Sequence, residues 1–208
     1  NPNNSEVINM WALVESGSVS KVYTRPKQLT IGDVQYPKNI FSLWTKAELE
    51  TLDIYDVVSD NTNLKDLDYY KNTDQTFAFQ SSVTINSIDY TNVVVASYGT
   101  ATAKPLADSG SGETLVRGLK YNHVQVIDQQ AYDLLLPNDW MVVKATETGG
   151  SVASAWTTYR AAVRTAAASM VTKINAVSDV DALAALYVYN DATPPVRPLG
   201  KFPDVPTS

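Results

Sequence analysis

Seven residues constrain the fold of this chain more than any others. Trp156, Tyr159, Val163, Ala166, Met170, Ile174 and Val177 recur at steps of three and four, the spacing that lines up one side of an α-helix. A helix over 153–177 is therefore expected. Arg160, Arg164 and Lys173 fall beside or opposite the stripe. A regular apolar stripe needs a covering surface, either elsewhere in the chain or in another copy of it. The preceding helical pattern, Leu119 to Leu136, carries Val124, Ile127, Ala131, Leu134 and Leu135 on one side and stops at Pro137. The short apolar segment after Pro137 ends at Gly149-Gly150, and its length suits an antiparallel pairing of the two helices. A third short helix over Asp179 to Val188, with Ser178 as its cap, completes a helical domain at 118–188.

The first half has a different pattern. Met10 to Val14 and Val19 to Thr24 read as strands about a Glu-Ser-Gly-Ser turn, which predicts a hairpin. Gly32-Asp33 marks a tight turn between two very short strands. Thr45 with Glu48 forms a capping-box signature that opens a helix through Leu52. Ile54 to Val58 is a further strand, Asp60 to Asn63 a loop, and Tyr69-Tyr70 leads toward another strand. Gln75 to Gln80, Ser82 to Ile85 and Thr91 to Tyr98 are rich in β-branched and aromatic residues. The fold class is α+β. A small, mostly antiparallel β-domain with one short helix (10–98) is joined by a linker (99–117) to the helical domain. The linker is richest in small residues from Gly99 to Gly112. Residues 1–9 form a polar N-terminal arm, and a Pro-rich, extended C-terminal arm covers 189–208. A long Pro-rich tail is rarely ordered alone, so another surface is expected to hold it. The chain starts on Asn, so its true start is expected to be processed, trimmed or not represented.

Composition narrows the function. Sixteen Lys and Arg stand against 22 Asp and Glu, a balance that argues against nucleic acid, whose phosphates need clustered cations. Apolar runs are only a few residues long, so no membrane span is expected. With no Cys and a single His, disulfides, thiolate chemistry and His-pair metal sites are excluded. His123 lacks a Gly-x-Ser-x-Gly elbow and reads as structural or surface. Asp66 with Asp68, and Asp179 with Asp181, could serve a glycosidase or a hard cation, but caps and turns explain them better. No catalytic residue, cofactor or metal is expected. Arg160 and Arg164 share a helix face and could grip an acidic partner, although pairing with Glu147 or Asp139 across the hairpin is favoured. Trp11, Trp44, Trp140 and Trp156 lie in apolar context and read as core, with sugar stacking the alternative. The interface candidates are Trp156, Tyr159, Arg160, Val163, Arg164, Met170, Pro194, Pro195, Pro198 and Phe202.

A resemblance adds a setting. Met10-Trp11-Ala12-Leu13-Val14-Glu15, Arg25-Pro26 and the Tyr36-Pro37-Lys38-Asn39-Ile40-Phe41 segment through Trp44 resemble the start of small proteins encoded in tailed-phage genomes. The C-terminal block is similar to tail fibre assembly-like domains. It comprises Leu134-Leu135-Leu136-Pro137-Asn138-Asp139-Trp140, then Tyr159-Arg160-Ala161-Ala162-Val163-Arg164, then Asp181-Ala182-Leu183-Ala184-Ala185-Leu186. The resemblance runs from Met10 to about Val188, with Met10 at the family's initiator position. It implies no catalytic residues. It implies a structural component of a tailed-phage virion, assembled in the host cytoplasm, that contacts other virion proteins and forms a homo-oligomer. A tail fibre assembly chaperone is the alternative, and a carbohydrate-binding or hydrolytic module acting on a host-surface glycan the second alternative. The two arms are expected to lace subunits together, so removal of 190–208 should weaken assembly without unfolding the monomer.

Overall fold

The computed structural model describes residues 10–207, so the N-terminal arm expected at 1–9 lies outside the described residues. The chain divides into two compact units, Asn1–Thr102 and Ala103–Ser208, and the division falls inside the stretch expected to be a linker. The α+β class is as expected, with strands in the first unit and mainly helices in the second.

In the first unit β1 (Trp11–Glu15) and β2 (Ser18–Tyr23) form the expected hairpin. Its two turn residues, Ser16 and Gly17, both take positive φ, the twist that a two-residue hairpin turn requires. A second, separate hairpin joins β3 (Leu29–Ile31) and β4 (Val34–Tyr36) across Gly32-Asp33. Two short helices follow, α1 (Ile40–Leu43) and α2 (Lys46–Glu50), where one was expected. The Thr45–Glu48 capping box is present: the Glu48 backbone N–H donates to Thr45 Oγ1, and the Thr45 backbone N–H donates to the Glu48 carboxylate at 2.7 Å. The chain continues through β5 (Ile54–Asp60), β6 (Tyr70–Lys71), β7 (Gln75–Ile85), β8 (Ile88–Tyr98) and β9 (Thr102–Ala103), which pairs with β6.

The main sheet has the order β2-β1-β5-β8-β7. Every pairing is antiparallel except β5 with β8, which run parallel at the centre. β7 and β8 are each eleven residues long, where three shorter strands were expected. They meet at a two-residue turn, Asn86-Ser87, with both φ positive and Ile85 opposite Ile88. β1 is buried on both faces. Trp11 and Leu13 pack with Tyr23, Phe41, Leu49 and Ile54 under the helices and the β3–β4 hairpin, and Trp11 and Phe41 rings lie 4.7 Å apart. Ala12 and Val14 pack the other way with Val57, Val94 and Ala96, with Val22, Phe77 and Phe79 at the margin. The sheet supplies both sides of this second core because it curls. Its edges β2 and β7 approach each other across a cleft of about 420 Å³ lined by Val19 to Val22 and Gln75 to Phe77.

The second unit begins with a folded loop where a flexible linker was expected. Ser109 and Val116 form a bridge, and Asp108 accepts from the Gly118 N–H at 2.8 Å and from Arg117. A side chain at Gly118 would collide with the Ala107 carbonyl at 2.4 Å. Helices α3 (Leu119–Leu135), α4 (Asp139–Thr148), α5 (Ser154–Ala176) and α6 (Val180–Ala185) follow. The short apolar segment after Pro137 is therefore a helix of its own. α3 and α5 pack antiparallel: Lys120, near the start of α3, donates to Asn175 O near the end of α5, and Arg160 of α5 reaches Leu135 O at the far end. The cap of α6 is Asp179 rather than Ser178, accepting from the Ala182 N–H at 2.8 Å.

The Pro-rich segment has no regular structure, as expected, but its first half is not an extended arm. The Leu199 side chain is 1% exposed, its N–H donates to Leu186 O, and Lys173 donates to the carbonyls of Pro198 and Leu199. A truncation at residue 190 would thus remove a core residue, so it is expected to destabilise the monomer as well as to remove the arm.

Asp56, on β5 between β1 and β8, is held above the ordinary aspartate value of 3.8, chiefly by burial; Glu50 adds to the rise and Lys46 opposes it. The folded state therefore holds this proton more tightly than the unfolded chain. Stability falls as pH rises through the window above the ordinary value, and the ionised group remains a penalty at neutral pH. Asp56→Asn is expected to raise Tm at pH 7 by about 1–4 °C. Calorimetry at pH 3, where the Asp56 carboxyl is largely protonated in both the folded and the unfolded chain, should show most of the gain vanish.

Candidate functional site

The α3–α5 interface decides which of the expected interface residues are available. Tyr159, Val163, Met170 and Ile174 are buried on α5, with Ala167 in the place expected for Ala166. Tyr159, Val163 and Met170 therefore serve the unit's own core, and the stripe is covered from within the chain. Trp156 is half-buried and meets Tyr159 edge-on at 5.8 Å. The Tyr159 hydroxyl is buried with no hydrogen-bond partner among the described residues.

Arg160 is buried as well, and it takes the internal role favoured above. Its guanidinium donates to Leu135 O at 3.1 Å, to Asn138 Oδ1, and to Asp139 Oδ1 at 2.6 Å. Asn138, itself buried, donates from Nδ2 to Leu134 O at 2.9 Å. The last carbonyls of a helix have no partners within it and carry its partial negative charge. Asn138 and Arg160 satisfy two of them, and the Asp139 carboxylate opens α4 beside the same cation. Asp139 is the partner that spacing allowed, and Glu147 is not used. Arg164 is exposed, one turn further along.

This corner turns α4 outward. No residue of α4 is fully buried; Met141 and Ala145, one turn apart, make its half-buried side. Trp140 is 56% exposed and Val143 equally so, with Val142 beside them. Tyr132 and Leu136, ahead of the corner, are also exposed. Tyr132, Leu136, Trp140 and Val143 follow one another at steps of four, four and three along the run from α3 through the 3₁₀ turn Leu136–Asn138 into α4, and all four are exposed. Lys144 lies over the Trp140 ring at 5.8 Å. Trp140 was expected in the core, and the structure puts it outside. Of the remaining interface candidates, Pro194, Pro195 and Pro198 are exposed and Phe202 is half-buried.

The carboxylate pairs take the structural roles that explain them best. Asp66 closes a turn by accepting from the Asp68 N–H at 2.8 Å, and Asp179 caps α6. The Ala182 N–H and the Ser178 hydroxyl hold Asp179 below the usual carboxylate range. Among the described residues no group of three His, Cys, Asp or Glu is placed to hold a metal ion, and no helix is long and apolar enough to cross a membrane. His123 shares a 2.6 Å hydrogen bond with the Tyr187 hydroxyl. What this surface can do chemically is bury an apolar row against a partner. No protein-family model, curated protein or solved structure matched the chain.

Replacing Arg160 with Ala removes the donor to Leu135 O and to Asn138 Oδ1 inside the unit. A loss of about 2–4 kcal/mol in denaturant unfolding is expected. Arg160→Lys is expected to recover little of it, because an ammonium cannot span three separated acceptors.

Proposed function

We propose that this chain is a structural component of a tailed-phage virion, in the tail, fibre or neck region, that works through protein–protein contacts. One observation carries the contact role: α4 offers Trp140, Val142 and Val143 to solvent in continuity with Leu136 and Tyr132. A large exposed apolar row is costly to leave wet, and Trp and Tyr are frequent anchors at interfaces. The virion setting rests on the resemblance at Met10–Glu15, at Leu134–Trp140 and at Tyr159–Arg164. A transient assembly chaperone for a tail fibre would use the same kind of surface, and only its copy number on finished particles separates the two readings.

Quantitative mass spectrometry of purified particles tests both. Stoichiometric copies in a multiple of three, six or twelve support a permanent component. Absence from particles, together with a tight complex with a fibre protein in lysate, supports the chaperone. Trp140→Ala combined with Val143→Asp is expected to reduce incorporation at least about tenfold while leaving Tm within about 2 °C of the parent. Undiminished incorporation would remove α4 from the contact.

A further inference from the structure

The segment after α6 forms a second surface, independent of α4. Asn190 organises it: its N–H donates to Val196 O at 2.9 Å, and its side-chain oxygen accepts from the N–H groups of Ala192 and Val196. With Leu199 anchored in the core, the loop leaves a groove of about 480 Å³ beside the end of α6. Its walls are apolar, from Ala185, Val188, Val196 and Pro198, and Val188 and Val196 are more than half exposed.

One charge sits in this groove. The Arg197 guanidinium lies 5.4 Å from the Tyr187 ring and 5.5 Å from the Tyr189 ring, and its Nε–H donates to Gly200 O at 3.1 Å. The two neighbouring rings and the Nε hydrogen bond restrict the guanidinium before any ligand arrives. Its terminal nitrogens make no hydrogen bond, and no carboxylate pairs with it, among the described residues. A half-buried, pre-ordered guanidinium with apolar walls around it suits a carboxylate carried next to a branched apolar side chain.

The chain displays such a group in the same unit. Beyond Gly200, Phe202, Pro203 and Pro206 are half-buried and hold the tail down, while Asp204 and Val205 project from it; Val205 is 55% exposed. The ion pair of Asp204 with Lys201, at 3.5 Å and almost wholly in water, is of a kind that contributes little. Asp204 does not reach Arg197 of its own chain.

We propose that the Arg197 groove receives the Asp204–Val205 tip of a second copy of this chain. The carboxylate pairs with the guanidinium fork, and the valine covers Val188 and Val196. Groove and tip are different patches, so two copies can exchange tips across a two-fold axis, or the contact can run head to tail into a ring or a filament. A contact this small is weak for one pair and gains strength by repetition. It is measured on the isolated protein, so it stands or falls separately from the virion reading.

Sedimentation equilibrium of the full chain, from about 10 μM to about 1 mM, tests it. Reversible self-association is expected, weakened at least about tenfold by Arg197→Gln and equally by Asp204→Asn. Asp204 is exposed enough that its replacement leaves folding untouched. A synthetic peptide of residues 201–208 is expected to compete with association, and the same peptide with Asp204→Asn is not. A monomer throughout the range overturns the proposal. So does association that survives Asp204→Asn, which would place the contact outside the Asp204 tip.

Discussion

A guanidinium drawn out of water along a helix must meet acceptors on each side it loses to the core, or its burial unfolds the helix that carries it. Arg160 meets them all at one corner: a terminal carbonyl of α3, the Asn138 amide and the first carboxylate of α4. That arrangement does three things together. It ends α3, it fixes the antiparallel register of α3 against α5, and it sets the direction in which α4 leaves. The apolar stripe of Tyr159, Val163, Met170 and Ile174 then closes over α3 in a register the corner has already chosen. Burial supplies most of the stabilisation, being roughly proportional to area and indifferent to direction. The charged corner supplies the direction.

The outward face of α4 follows from the same geometry. A helix that begins on a side chain held by α5 has only one turn, Met141 with Ala145, left to rest against its own unit. The rest of its apolar surface has nowhere inside to go. The exposed apolar row and the core are thus parts of one arrangement, with Arg160 standing between them.

Much of this was legible in the residues, and the misses have physical causes. The α5 stripe, the β1–β2 hairpin and the Thr45–Glu48 capping box follow from spacing and local chemistry, which act within a few residues. The long β7–β8 hairpin was hidden because its turn is Asn86-Ser87, where both residues adopt positive φ without a glycine to announce it. The parallel β5–β8 pairing depends on partners more than thirty residues apart, which no local pattern encodes. The pairing of Arg160 with Asp139 was among those the spacing allowed, whereas its further bonds to Leu135 O and Asn138 depend on how α3 ends against α5. Trp140 looked like core because its neighbours are apolar; only the path of α4 decides that they face outward. The folded loop at 103–118 was disguised by small residues, although the tight contact at Gly118 is what a small residue permits.

The curl of the first unit's sheet has a consequence for a chain that would be made in many copies. An open sheet ends in two ladders of unsatisfied amides and carbonyls, and such ladders recruit strands from any neighbour. Here β2 and β7 turn toward each other across their cleft. Each stands in the other's way, and a foreign strand would have to enter a slot already flanked on both sides. The amides of β2 and β7 that face the cleft have no strand partner among the described residues, so they would exchange with solvent before the paired amides of β1, β5 and β8. The molecule thus keeps its unpaired strand edges where they are hardest for another chain to reach.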